Sequence, residues 1–468
     1  MSFTSLTFWV FLAVVFVAYW LVRDRRWQNG LLLVASYVFY SWVTPWLSVL
    51  LGISTLLDFL LARAMQFKPT RVRLFVSLSL MLNVGVLAFF KYYNFFSGDL
   101  ARLASAFGLE GDLLLTRILL PAGLSFFTLK KLSYMIDTAR GTLKPAHTLV
   151  DFALYVSFFP QLVAGPIERP QKLLPQIERS RTWKADFLYQ AWPLIVIGLF
   201  KKIVIADSIK VIVDQIFQLQ EPSLLLLTMG TLAFTLQILA DFSGYTDMSR
   251  GAALLLGFET SENFNLPYAS LTPTDFWNRW HITLSNWLRD YIFFPIGRAL
   301  RKSRFTLPNG LILTIPPIVT MFVSGLWHGA GWTYIVWGLY YGVLICIYQF
   351  LGMGGNWKPR SQLHAILSWI IMFFLINLGW VIFRSPSLGW LANVLANAPW
   401  IQSRNDWIVG MIALSMVAVY SVPLFLKLVL EKFPRQKEWL LPAYYALATM
   451  LIIVFINSSS PDFIYFQF

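Results

Sequence analysis

Charge is scarce in this chain. Only 13% of its 468 residues are Asp, Glu, Lys or Arg, whereas a soluble domain normally carries about a quarter. Apolar residues make up 57% of the chain. So little charge cannot cover soluble domains of this total size with a polar surface. We therefore predict an integral membrane protein, for which the bilayer is the solvent.

Cysteine and the common catalytic motifs are also scarce or absent. The only cysteine is Cys346, which excludes a disulfide framework and a cysteine-based metal site. The sequence contains no GxSxG nucleophile elbow, no P-loop and no HExxH zinc motif. It also shows no internal repeat of the kind found in many transporters. We therefore predict no metal site and no permanently bound cofactor.

Positive charge exceeds negative charge, with 37 basic against 23 acidic residues and a net charge of +14. The basic residues lie in short loops between apolar stretches, which is the pattern that orients membrane proteins. We therefore expect membrane lipids and not nucleic acid as partners. The same rule predicts that the basic loop 298–304 is cytoplasmic and that both chain termini lie outside.

Apolar runs are what the sequence has in abundance. Segments that approach the length of about 20 residues needed to span a bilayer are 5–22, 30–43, 46–65, 74–96, 117–136, 149–164, 187–206, 223–240, 309–327, 331–351, 365–383, 407–426 and 439–457. Several are short or broken by Pro and Gly, which favours about 11 transmembrane helices plus re-entrant or interfacial helices. The predicted fold class is an all-α polytopic membrane protein with a single transmembrane domain over 1–468.

Two carboxylates interrupt an otherwise apolar helical stretch. Asp241 and Asp247 lie within residues 237–250, on either side of Gly244. Ionisable groups inside apolar sequence are costly and usually mark a wet or functional region. Two interpretations stay open. The carboxylates either form an intramolecular network that fixes a bend at Gly244, or they line a site.

A second polar stretch, 275–291, is predicted to form one helix that Thr274 caps. At 100° per residue, polar side chains fall on one strip or beside it, and the candidates among them are Asn278, Arg279, His281, Ser285 and Arg289. This helix cannot span lipid. It is either an interfacial anchor or the lining of a polar funnel. His281 favours the funnel, because an anchor has no need of an imidazole.

His328 lies in the sequence SGLWHGAGW, where one apolar run ends and the next begins. Imidazole is the side chain best suited to proton transfer near neutral pH. A lone histidine of this kind is more often structural, so both interpretations stay open at this point. A metal site built from His281 and His328 is not predicted, since neither zinc-motif nor cysteine ligands accompany them.

Several stretches resemble one protein family. They are FPQLVAGPIERP (159–170), DFSGYTDMSRGAALLLGF (241–258), NFNLPYASLTPTDFWNRWHITLSNWLRDYIFFPIG (263–297), GLWHGAGWTYIVWG (325–338) and FIYFQF (463–468). In these stretches the chain resembles the membrane-bound O-acyltransferases (MBOAT). The similarity is to the bacterial branch whose members act in alginate or peptidoglycan O-acetylation or in D-alanyl transfer to teichoic acid.

The resemblance implies a helical bundle around a central funnel, with two marker histidines near its constriction. These positions are His281 and His328, and the second corresponds to the family's catalytic residue. The usual family pattern DFWRRWHI reads DFWNRWHI here, so Asn278 stands where an arginine is expected. Asn278 and Arg279 are candidates for lining the funnel or binding the donor, together with Ser285, Arg289, Asp241 and Asp247.

The function that the resemblance implies is acetyl transfer from cytoplasmic acetyl-CoA to an extracytoplasmic polysaccharide, such as alginate or peptidoglycan, in the bacterial inner membrane. His328 would be the base and His281 its polar partner. A periplasmic or membrane-anchored SGNH-type acetyltransferase is the expected protein partner. Two alternatives stay open: transfer of D-alanine from a carrier protein, and an acyl or solute transporter without acyltransferase chemistry.

The C-terminal tail carries Tyr465 between aromatic and aliphatic residues. It is either an aromatic belt at the membrane interface or an acyl relay. A phenol has a pKa of about 10 and leaves far more readily than an ordinary alcohol, so an acetyl-tyrosine keeps its transfer potential. Tyr465 is therefore a candidate for carrying the acetyl group to the outer partner.

Overall fold

The computed structural model describes residues 1–42, 44–106, 118, 121–303, 308–355, 357–432 and 437–456. Within these residues the chain is built from helices and contains no strand. The tail that contains Tyr465 lies outside the described residues.

The α-helices of the described ranges follow one another with short connections. They are α1 (Leu6–Leu21), α2 (Arg25–Ser41), α3 (Trp46–Phe67), α4 (Val72–Ala106), α5 (Leu124–Ala139), α6 (Leu149–Ser157), α7 (Phe159–Leu162), α8 (Pro170–Glu178), α9 (Ala185–Leu199), α10 (Asp207–Gln218), α11 (Leu224–Leu255), α12 (Pro273–Arg279), α13 (Ile282–Leu288), α14 (Phe294–Arg301), α15 (Asn309–His328), α16 (Trp332–Phe350), α17 (Gln362–Arg384), α18 (Leu388–Asn397), α19 (Arg404–Lys432) and α20 (Lys437–Phe455). Two π-helical segments, Phe200–Ala206 and Arg289–Phe293, join α9 to α10 and α13 to α14.

Seven helical stretches in the described part of the chain are long and apolar enough to cross a membrane. They are α3, the stretch Pro69–Ser97 that enters α4, α11, α15, α16, α17 and α19. Two shorter apolar helices, α1 and the stretch Trp439–Phe455 of α20, accompany them. These helices confirm the predicted all-α polytopic membrane protein.

The apolar segment 149–164 is not one continuous helix, and it is one of the segments that contain a proline. The chain leaves helical geometry at Phe158, where φ is −48° and ψ is 106°, and α7 then begins. Pro160 lies in the first turn of α7. Proline has no N–H to donate, which costs nothing in the first turn of a helix, where the N–H groups have no partner within the helix.

The chain divides into two compact units. Unit 1 comprises Met1–Trp192 with Ser249–Ser261, and unit 2 comprises Pro193–Met248 with the described residues from Glu262 onward. Both histidines of interest belong to unit 2. The assignment of 1–468 to a single transmembrane domain stays a prediction.

Unit 1 contains a buried carboxylate that is paired with a cation. The carboxylate of Asp58 on α3 is fully buried and accepts hydrogen bonds from Ser79 Oγ (2.5 Å) and Asn83 Nδ2 (2.8 Å). The ammonium of Lys131 on α5 lies 3.6 Å from the same carboxylate. A buried charge is tolerated when it is both paired and hydrogen-bonded, so Asp58 links three helices of this unit.

Candidate active site

The polar stretch after Leu271 begins with a capped helix. Thr272 precedes α12, and its hydroxyl accepts a hydrogen bond from the backbone N–H of Asp275 at 3.1 Å. Pro273 occupies the first helical position, where its missing N–H costs nothing. The cap is therefore Thr272, and the prediction that Thr274 caps the helix is wrong by two residues.

The stretch does not continue as one helix. Trp280 is extended and His281 adopts the left-handed conformation, with φ 41° and ψ 53°, before α13 begins. Hydrogen bonds from outside the stretch hold this turn. Ile282 N–H donates to the carbonyl oxygen of Asn263 at 3.0 Å, and Thr283 Oγ1 donates to Asn263 Oδ1 at 2.7 Å. A buried asparagine thus replaces the helical hydrogen bonds that the turn gives up.

The predicted polar strip is therefore wrong, because the helix that would carry it is broken. His281 is fully buried, whereas Asn278 and Arg289 are exposed and Ser285 is half-buried. Arg279 forms an ion pair of 2.7 Å with the carboxylate one turn before it. Only His281 points into the protein core among these five side chains, and a funnel-lining or donor-binding role for the other four stays a prediction.

His281 lies among aromatic rings. Its imidazole contacts Phe242 on α11, with ring centroids 4.7 Å apart and planes at 75°, and Trp327 on α15, with centroids 5.7 Å apart. Burial lowers the pKa of His281 below its usual range, so this imidazole is neutral at pH 7. Left-handed conformations at non-glycine residues are uncommon and cluster at functional sites.

His328 is the last residue of α15 and only 4% exposed. Its imidazole contacts Trp327 and Trp337, each with ring centroids 4.9 Å apart, and Phe383 at 5.7 Å. Trp327 contacts both imidazoles. The fold therefore brings two histidines that lie far apart in the sequence to one aromatic cluster.

Glycines set the position of His328. A Cβ atom at Gly325 would lie 2.3 Å from the carbonyl oxygen of Tyr334, and one at Gly338 would lie 2.3 Å from that of Met321. Helices α15 and α16 can approach this closely only because both positions lack a side chain. The glycines around His328 thus have a packing role, which fixes the helix end that carries the imidazole.

The aromatic partners of the two histidines are site residues that the sequence analysis missed. Besides Phe242, Trp337 and Phe383, the cluster includes Tyr341 on α16, whose ring lies 5.5 Å from that of Trp337. In the described part of the chain, the Trp337 indole N–H has no hydrogen-bond partner, although Trp337 is fully buried. Trp327 and Trp337 lie in the stretch GLWHGAGWTYIVWG and Phe242 lies in DFSGYTDMSRGAALLLGF, whereas Tyr341 and Phe383 lie outside every stretch quoted above.

The two carboxylates of α11 are paired with lysines. Lys202 Nζ lies 2.8 Å from Asp241, and Lys201 Nζ lies 2.7 Å from Asp247. The intramolecular network is thus present, and α11 runs as one helix through Gly244. A bend at Gly244 stays a prediction. Gly244 allows a close approach, since a Cβ there would lie 2.8 Å from the carbonyl oxygen of Gly198. A site-lining role for either carboxylate stays a prediction.

Metal ligands are not clustered in the described ranges, where no three His, Cys, Asp or Glu side chains are arranged to hold an ion. The site therefore consists of two buried imidazoles, one of them in a left-handed turn and the other at a helix end, within an aromatic shell. Such a site offers proton transfer in a water-poor environment.

Comparison with known proteins identifies the family of this chain. The sequence profile of "MBOAT, membrane-bound O-acyltransferase family" matches residues 142–383, a range that contains both histidines. A probable alginate O-acetylase of Pseudomonas aeruginosa is 39% identical over 391 residues, which cover 83% of this chain and 73% of the relative. A peptidoglycan O-acetyltransferase of Helicobacter pylori is 33% identical over 419 residues, covering 82% of this chain and 77% of the relative.

A more distant relative carries a different name. A teichoic acid D-alanyltransferase of Bacillus subtilis is 30% identical over 270 residues, which cover 56% of this chain and 68% of the relative. The relatives thus share acyl transfer and differ in the acyl group and the acceptor. The chain belongs to the membrane-bound O-acyltransferase family and is a multi-pass membrane O-acyltransferase.

Proposed function

We propose that this enzyme transfers acetyl groups from cytoplasmic acetyl-CoA for the O-acetylation of an extracytoplasmic polysaccharide, in the inner membrane of a bacterium. The observation that carries the proposal is the burial of His328 at the end of α15, beside the indole that also contacts His281. The O-acetylating relatives match more of this chain than the D-alanyl-transferring relative does, which favours acetyl over D-alanine.

In the proposed reaction, His328 is the general base. Its imidazole takes the proton of the attacking hydroxyl while the oxygen bonds to the thioester carbon. The tetrahedral intermediate then expels the CoA thiolate, which takes the proton back from the imidazolium. His281, which lies in the same aromatic cluster, acts as the polar partner of His328. The aromatic shell excludes water, so that the thioester is not lost to hydrolysis.

The polysaccharide is proposed to receive its acetyl group with the help of a second protein. The described part of the chain consists almost wholly of helices and short connections, which leaves little mass for recognising a long glycan. A periplasmic or membrane-anchored SGNH-type acetyltransferase would complete the transfer, and Tyr465 would carry the acetyl group to it.

The experiment uses the purified protein in nanodiscs, with acetyl-CoA carrying a labelled acetyl group. His328→Ala should lower the rate of CoA release and of acetyl transfer by about 10²- to 10⁴-fold, the usual range for losing a general base. His364→Ala is the matched control, since His364 is partly exposed and lies at the start of α17. Transfer at the wild-type rate by the His328 variant would refute the assignment. Transfer of D-alanine from a carrier protein but not of acetyl would refute the proposed donor.

A further inference from the structure

A buried glutamine in unit 1 has a carboxamide without hydrogen-bond partners among the described residues. Gln161 lies on α7, in the stretch FPQLVAGPIERP, and is only 1% exposed. Within the described part of the chain, neither its Nε2 nor its Oε1 atom has a hydrogen-bond partner. Burying an amide without hydrogen-bond partners is energetically costly. Such a group is rare in a native protein and calls for a ligand or an ordered water.

A second buried polar group without a hydrogen-bond partner among the described residues lies beside it. Ser249 is fully buried, and its Oγ atom also lacks a partner among the described residues. Gly165 brings the two side chains together. A Cβ atom at position 165 would lie 2.5 Å from Ser249 Oγ and 2.9 Å from the Cβ atom of Gln161. Both side chains therefore lie next to Gly165. Together they offer two donor atoms, Gln161 Nε2 and Ser249 Oγ, and two acceptor atoms, Gln161 Oε1 and Ser249 Oγ.

Another glutamine of unit 1 illustrates what a carboxamide binds. Gln176 Nε2 donates to the carbonyl oxygen of Glu259, and Gln176 Oε1 accepts from the N–H of Glu259, both at 2.9 Å. One side-chain amide thus pairs with the backbone amide groups of one residue, with a donor and an acceptor on each side. Gln161 has the same chemistry but lacks such a partner among the described residues. A secondary amide of a ligand would complement it in the same way.

We propose that Gln161 and Ser249 form a binding site for a secondary amide of the pantetheine arm of the acyl donor. This inference rests on the proposed function, in which the donor is acetyl-CoA. The arm carries two secondary amides on a slender linear chain, which suits side chains as deeply buried as these two. A ring of a polysaccharide is much wider. A donor on a carrier protein would present the same arm, so the site serves either donor.

A role of Gln161 in ligand binding and a role in stability predict different unfolding temperatures for a Gln161 variant. Gln161→Leu replaces an unpartnered amide with an apolar side chain of similar size, which is neutral or stabilising in the unliganded protein. The unfolding temperature of the Gln161 variant should therefore stay at the wild-type value or rise. Gln176→Leu is the matched control. It removes hydrogen bonds that the fold uses, so its unfolding temperature should fall.

The decisive measurement compares two donors on the same variants. One is acetyl-pantetheine, and the other is an analogue in which an ester replaces one amide and so removes one N–H donor. Each of the two amides is replaced in turn. For one of the two positions, the wild-type KM should be about tenfold lower for the amide than for the ester, as one lost hydrogen bond implies. Gln161→Leu should abolish that preference with little change in kcat, and Gln176→Leu should keep it.

Two outcomes would overturn the proposal. In the first, Gln161→Leu lowers the unfolding temperature and keeps the amide preference, which makes Gln161 a structural residue. In the second, the variant loses discrimination between N-acetylated and unacetylated sugar acceptors and not between donors. Stabilisation of the wild type by pantetheine without any acetyl transfer would refute the proposed function but not this site, because binding needs no turnover.

Discussion

One lysine is shared by two carboxylates: Lys202 Nζ lies 2.8 Å from Asp241 on α11 and 2.8 Å from Asp207 at the start of α10. The Lys202 side chain is only 1% exposed. It lies in the π-helical segment between α9 and α10, so this single cation joins two helices of unit 2.

Removing that cation should destabilise the protein strongly. Lys202→Met leaves two carboxylates without their shared partner, and breaking a buried pair in this way costs about 3–5 kcal/mol. Lys427→Met is the control, because Lys427 pairs with the more exposed Glu431 one turn along α19, and such pairs contribute under about 0.5 kcal/mol. Denaturant unfolding in detergent measures both. Adding Asp241→Asn to the Lys202 variant should recover part of the loss, and no recovery would contradict the shared-cation interpretation.

The left-handed turn at His281 predicts an order among substitutions. His281→Asn should fold nearly as well as the wild type, because asparagine tolerates this conformation. His281→Val should lose about 1–3 kcal/mol of unfolding free energy, since a β-branched residue is strained at positive φ. Both variants lack the imidazole and should be severely impaired in acetyl transfer. Equal unfolding temperatures for the two variants would show that the turn relaxes.

Close contact between α15 and α16 should make Gly325 intolerant of any side chain. Gly325→Ala places a methyl group 2.3 Å from the carbonyl oxygen of Tyr334, and overpacking of this kind typically costs about 1–3 kcal/mol. Gly85→Ala on α4 is the control, because a Cβ there meets nothing within 4 Å. It should stabilise the protein slightly, since alanine favours helix over glycine. If Gly325→Ala left the free energy of unfolding unchanged, the two helices would have to shift apart without cost.

The relay proposed for Tyr465 predicts the effect of removing one oxygen atom. Tyr465→Phe keeps the ring, so the protein should fold and still bind CoA, yet glycan acetylation should stop. Mass spectrometry of the wild-type protein should detect an acetylated peptide containing residue 465. Normal glycan acetylation by the Phe variant would leave Tyr465 as an aromatic residue of the membrane interface.

Local sequence patterns predicted the helices well and the site only in part. Apolar runs are local features of the sequence, so their positions and lengths were enough to find the spanning helices. The turn at His281 depends on Asn263, which lies eighteen residues earlier, and helical periodicity continues through the turn without a break. The pairing of Lys202 with Asp241 also joins distant positions, and no local pattern encodes it. His328 was found because its glycines break an apolar run, whereas two of its three aromatic partners, Trp337 and Phe383, come from α16 and α17.

The contact between α15 and α16 also bears on how the protein is made. Only Gly329, Ala330 and Gly331 separate the two helices. The two helices pack closely at glycines that lack side chains, and their connection is short. Such a pair is suited to leaving the insertion machinery as a preformed hairpin. The end of that hairpin is His328. The proposed base would then be held in its final geometry early in biogenesis, before α17 is synthesised and adds Phe383 to its surroundings.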